Sequence, residues 1–95
     1  MENTVNIEQI KKNLAEVYAE YCSDYWYAVC VKRRAEREGA PQTEIDLLAE
    51  RVISGLEKRG AFRKALKVSG LFTEEERRAI NQAQKRLWIS EFEEN

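Results

Sequence analysis

Residues 18–31, YAEYCSDYWYAVCV, constrain this chain more than any other stretch. They lie inside a long run with helical periodicity. Up to Tyr25 the apolar positions keep to one stripe. Tyr25, Trp26, Tyr27, Ala28, Val29, Cys30 and Val31 then follow without a polar residue among them. A helix that is apolar all round is buried from more than one direction. In a chain of 95 residues, the second covering surface is either the rest of the same chain or another chain.

The spacing predicts four helices, over 7–38, 44–59, 61–69 and 74–92. In the first, Ile7, Ile10, Leu14, Val17, Tyr18, Tyr21, Tyr25, Ala28 and Val29 follow the i, i+3, i+4, i+7 rule. A flanking strip of Ala15, Ala19, Cys22, Trp26 and Cys30 is mostly small, and would let a second helix backbone come close. Asn6 or Thr4 is the candidate cap, Lys32, Arg33, Arg34 and Arg37 suit the C-terminal end of the dipole, and Gly39 and Pro41 end the element. The second helix is expected to start at an N-cap Thr43, to carry Ile45, Leu48, Ala49, Val52, Ile53 and Leu56 as its apolar face, and to stop at Gly60. Gly55 inside it is unfavourable by about 1 kcal/mol relative to alanine, which suggests a close crossing. The third is short, with Phe62, Ala65 and Leu66 buried and Gly70 as its stop. The fourth opens on Thr73-Glu74-Glu75-Glu76, a T-x-x-E capping box. Its Ile80, Ala83 and Leu87 are expected to face inward, with Trp88, Ile89 and Phe92 on nearly the opposite side. The expected core is Ile10, Leu14, Val17, Tyr21, Leu48, Val52, Phe62, Leu66, Ile80 and Leu87. The fold class is therefore all-α: a small bundle of about four helices in a single domain, 1–95, with a long first helix.

Charge and composition narrow the function classes. Sixteen basic and 17 acidic residues give a net charge of −1, so no global field draws the chain to nucleic acid or membrane. The segment MENTVNIEQIKK lacks the apolar centre of a signal peptide, and no apolar run approaches the ~20 residues of a membrane span. Cys22 and Cys30 on one helix are roughly 12 Å apart along its axis, beyond disulfide reach. Free thiols in a reducing cytoplasm are the expectation. Histidine is absent, which removes the commonest general base and metal ligand. Two cysteines make no structural zinc site within one chain. No glycine-rich phosphate loop or nucleophile elbow occurs. No catalytic, metal or cofactor residue can be nominated, and an enzyme is not expected.

Two basic clusters remain. Lys32, Arg33, Arg34 and Arg37 read first as dipole-compensating cations. Lys58, Arg59, Arg63, Lys64 and Lys67 read equally as a solvated face or as a phosphate-binding patch. A helix-turn-helix reading around Gly70-Leu71-Phe72 is disfavoured, because three glutamates would open the recognition helix. The aromatic residues point to protein contacts, since Trp and Tyr are enriched in interface hot spots. Trp26, Tyr27, Trp88, Ile89 and Phe92, rimmed by Glu91, Glu93 and Glu94, are the candidate partner-binding set. The expected function is a small protein-binding module (a regulator, inhibitor or accessory subunit, of a size and composition that suit a phage or mobile element). It would occupy a surface on a larger protein and self-associate through residues 25–31. The alternative is a nucleic-acid-binding or nucleoprotein-associated factor using residues 58–67.

Overall fold

The computed structural model describes residues 6–93; the alternative cap Thr4 and the tail residues Glu94 and Asn95 lie outside the described residues. The chain is all-α, with α1 (Ile7–Arg37), α2 (Gln42–Ser69) and α3 (Glu74–Glu93). No strand occurs among the described residues. Three helices stand where four were expected, because 44–59 and 61–69 are parts of one.

Local chemistry explains most of the ends. The Asn6 side chain accepts a hydrogen bond from the Gln9 amide at 3.1 Å and caps α1, with Glu8 in the first turn. At the other end the Gly39 amide donates to Glu36 and the Ala40 amide to Ala35, with Gly39 at φ +73. This is a Schellman ending, and only glycine takes that backbone conformation cheaply. Gly70, at φ +74, ends α2. The capping box of α3 closes in both directions: the Glu76 amide donates to Thr73 Oγ1 at 3.0 Å, and the Thr73 amide donates to Glu76 Oε1 at 2.8 Å.

Two boundary expectations fail on α2. The helix begins at Gln42, directly after Pro41, whose carbonyl accepts from the Glu44 and Ile45 amides. Proline's preset φ suits a helix start, so Thr43 lies within the first turn and is not the cap. Gly60 does not stop the helix. A stopping glycine adopts positive φ, and Gly60 does not. Helix formers surround it, and Phe62 and Leu66 beyond it pack onto α1, which outweighs the roughly 1 kcal/mol that glycine loses to alanine.

The helices run up, down and up. Tyr25 sits against Gly55 and Tyr18 against Phe62, so α2 is antiparallel to α1. Lys11 pairs with Glu76 and Ser23 with Trp88, so α3 is parallel to α1. Both α2 and α3 pack on α1 and scarcely on one another. This arrangement accounts for the all-round apolar stretch: α2 covers Tyr21 and Tyr25, while α3 meets Trp26 and Tyr27.

The core is built on Tyr18, Cys22, Leu66 and Phe72, with Leu14, Ala15, Trp26, Phe62, Leu71 and Ile80 packed around it. Its centre on α1 is displaced from the main apolar stripe toward the small-residue strip, where α3 docks. Ile10 and Val17 are consequently exposed, and Leu87 is 53% exposed, contrary to expectation. The inward side of α3 keeps Ile80 but otherwise runs through Arg77, Asn81 and Trp88, and Ala83 faces solvent. Polar residues on that line hid it from an apolar count. The Cα radius of gyration is 16.4 Å, against roughly 12–13 Å for a compact chain of this length. The molecule is elongated, with a thin core and much apolar surface left outside.

Candidate functional site

Three side-chain assemblies decide what the surface can do. The first ties the helices together. Asn81 Oδ1 accepts from Trp26 Nε1 at 3.0 Å and from an Arg59 guanidinium nitrogen at 2.9 Å. One carbonyl oxygen has two lone pairs, and both are used. The Arg59 guanidinium lies 4.2 Å above the Tyr25 ring, and Lys85 lies over Trp26. Beside this, Arg77 is buried and donates to the Phe72 carbonyl at 2.8 Å, holding the α2–α3 turn.

The second assembly is aromatic. Tyr27 meets Trp88 edge-on at 4.9 Å and Phe92 at 6.0 Å, and Trp88 meets Phe92 at 6.2 Å. These tilted geometries suit the ring quadrupoles. Trp88 Nε1 donates to Ser23 Oγ at 2.8 Å, and Arg34 stacks over Phe92 at 4.4 Å. Trp88 and Phe92 therefore turn toward α1, which corrects the expectation that they look away from the other helices. Tyr27 is still 48% exposed. It also lines an open groove between α1 and α2, formed by Tyr21, Asp24, Ala28, Val31, Leu48, Arg51, Ser54, Gly55 and Lys58. Of the five expected partner-binding residues, Tyr27, Trp88 and Phe92 come together. Trp26 faces the Asn81 network. Ile89 lies at the edge of this set, in a small pocket it shares with Cys30, Arg33 and Phe92.

The third is the basic segment. Arg59 is occupied with Tyr25 and Asn81, and Arg63 is half-buried. Lys58, Lys64 and Lys67 are exposed. At 100° per residue they spread around much of α2 and do not form one patch. Among the other cations, Lys32 pairs with Glu36 at 2.8 Å.

The titratable groups show burial more than activation. Burial, and after it the Cys22 thiol alongside, pushes the Tyr18 hydroxyl up to about 12; apart from that weak sulfur contact the hydroxyl has no hydrogen-bond partner among the described residues. Burial also raises the Cys22 and Cys30 thiols, which disfavours the thiolate a nucleophile needs. Glu76 is lowered, first by the hydrogen bond from Lys11 and then by the Thr73 amide. Among the described residues no cluster of His, Cys, Asp or Glu could hold a metal ion, and no helix is long and apolar enough to cross a membrane.

Sequence reasoning missed Ser23, Arg34 and Leu48 as parts of this surface. Ser23 and Arg34 are polar, and their roles come from α3 docking parallel to α1, which no local spacing encodes. Comparison with protein-family models, with curated proteins and with solved structures finds no match to this chain.

Proposed function

We propose that this chain is a non-enzymatic protein-binding module, a cytoplasmic regulator or accessory subunit that acts by occupying a surface on a larger protein. The observation that carries this reading is the interlocked set Tyr27, Trp88 and Phe92, contributed by two helices, half open to solvent and continuous with the Tyr21–Leu48 groove. Rigid aromatic anchors with satisfied polar tips and charged neighbours are what protein interfaces use. Ser23 satisfies Trp88, and Arg34, Asp24 and Arg51 supply the rim. The absence of histidine and the buried, proton-retaining thiols support a binding role over a catalytic one.

Affinity capture with the full chain as bait, followed by mass spectrometry, tests the reading. Tyr27→Ala removes an exposed ring and should weaken capture of the partner by about 2 kcal/mol or more if it is an anchor, with helicity unchanged. Equal capture by wild type and Tyr27→Ala overturns it. The second reading, phosphate binding by α2, draws on the exposed Lys58, Lys64 and Lys67. It requires an affinity for duplex or single strands that falls steeply with salt. No binding at low salt retires it.

A further inference from the structure

α2 carries a second apolar strip that its own chain covers only in part: Ile45, Ala49 and Val52 are half-buried, and Ile53, Leu56 and Gly60 are exposed. Ile45, Ala49, Val52, Leu56 and Gly60 succeed one another at steps of four, three, four and four residues, so they share one side of the helix, with Ile53 beside them. That side is rotated by about 100° from the one that buries Phe62 and Leu66. Ile53 is 56% exposed and Leu56 44%. The strip opens toward Tyr25, Val29 and Arg33 of α1. Tyr27 and Val29 are roughly 200° apart around that helix, so the strip and the aromatic set occupy opposite faces of the molecule.

Two observations say what covers it. The first is Gly60. A glycine inside a helix is unfavourable, and Gly55 has an internal reason to be there: a Cβ at that position would lie 3.3 Å from the Tyr25 Cα. A Cβ at Gly60 would meet nothing within 4 Å. Nothing in its own chain asks for a small residue there, whereas a second helix lying close would. The second observation is the charge order along α2. In its first half Glu44, Asp46 and Glu50 outnumber Arg51; in its second half Lys58, Arg59, Arg63, Lys64 and Lys67 outnumber Glu57. A helix acidic at one end and basic at the other is complementary to a copy of itself laid antiparallel. A two-fold interface requires such self-complementarity.

We infer that the chain forms a two-fold dimer through this face, α2 against α2 of a second copy, antiparallel. With the axis between Ile53 and Leu56, Ile53 faces Leu56 of the second copy and Ala49 faces its Gly60. Asp46 then meets the Arg63 and Lys64 end of the second copy. The 4-3-4 spacing suits interdigitated packing, and small residues at the Ala49–Gly60 level let the backbones approach. The dimer leaves both aromatic surfaces outward, so it presents two partner sites. The inference stands independently of the partner-binding reading.

Light scattering and sedimentation equilibrium on the full chain, across the micromolar range, test it. The wild type should weigh two chains. Ile53→Glu and Gly60→Leu should each raise the dissociation constant at least about tenfold while the far-ultraviolet spectrum stays helical, since both positions are open in the single chain. Asp46→Lys or Lys64→Asp alone should weaken the dimer, and the two combined should restore it. A wild type that weighs one chain throughout overturns the inference. So does a dimer indifferent to Ile53→Glu and Gly60→Leu, or a charge swap no better than its single changes. A dimer lost only on Tyr27→Ala would move the contact to the aromatic surface; that overturns this face and leaves the partner-binding reading standing.

Discussion

Gly55 and Gly60 occupy the same helix for different reasons, and substitution separates them. At Gly55 an alanine Cβ would sit 3.3 Å from backbone of α1, so Gly55→Ala should destabilise despite its better helix propensity. At Gly60 the space is open, and Gly60→Ala should stabilise the single chain by about 0.4–1 kcal/mol. Urea midpoints at low protein concentration should move in opposite directions. Tyr18 is the other informative residue. Its hydroxyl is raised from 10.0 to about 12 by burial. Below pH 10 both folded and unfolded chains keep the proton, and its contribution to stability is complete. As pH rises from 10 toward 12, the unfolded chain loses the proton first, so stability falls. Tyr18→Phe should flatten that alkaline decline. It should not cost stability at pH 7, because the hydroxyl it removes is buried with no partner better than the Cys22 thiol.

At the scale of the element, most helix ends were readable from short-range rules; the start of α2 was not, because Pro41 sets it ahead of Thr43. Asn6, Gly39, Gly70 and the Thr73–Glu76 box act over three or four residues, and each acts as its chemistry requires. Thr73→Ala should cost about 1 kcal/mol in thermal or urea unfolding. Glu76 links its box to α1 through Lys11 at 2.8 Å. Because its carboxyl is lowered, its contribution is present above the ordinary carboxylate range and is lost as pH falls through that range. Glu76→Gln should therefore lower stability at neutral pH, leave it nearly unchanged below the carboxylate range, and so shrink the acid limb of the stability profile by the same amount. Gly60 was misread for the complementary reason. Whether a glycine ends a helix depends on what the residues beyond it pack against, and Phe62 and Leu66 pack on α1.

For the whole molecule, the decisive fact is that α2 and α3 flank α1 without closing on each other. A three-helix arrangement of this kind buries its central helix well and its outer helices on one side only. Leu66, 2% exposed, should cost about 2–5 kcal/mol on substitution by alanine. Leu87, open to solvent on α3, should cost under about 1 kcal/mol. Comparable losses at both would contradict the packing described here. The same openness leaves the Tyr27 surface and the α2 strip on opposite faces, so the proposed dimer and the proposed partner contact would not compete.

Helical periodicity, caps and the absence of any strand pattern made the all-α class, the long first helix and two of the three helix starts legible from residue order alone, because those are set by contacts within one or two turns. The aromatic composition singled out Tyr27, Trp88 and Phe92, which cluster, but equally Trp26, which joins Asn81. Packing decided the rest. The rotation of α1 that buries Cys22 and exposes Val17 depends on two neighbours distant in the chain, and so does the use of polar Asn81 as the joint between Trp26 and Arg59. The same distant packing carries α2 through Gly60 and brings Tyr27 against Trp88. Contacts between residues more than 50 positions apart, such as Trp26–Asn81 and Ser23–Trp88, leave no periodic trace in either segment.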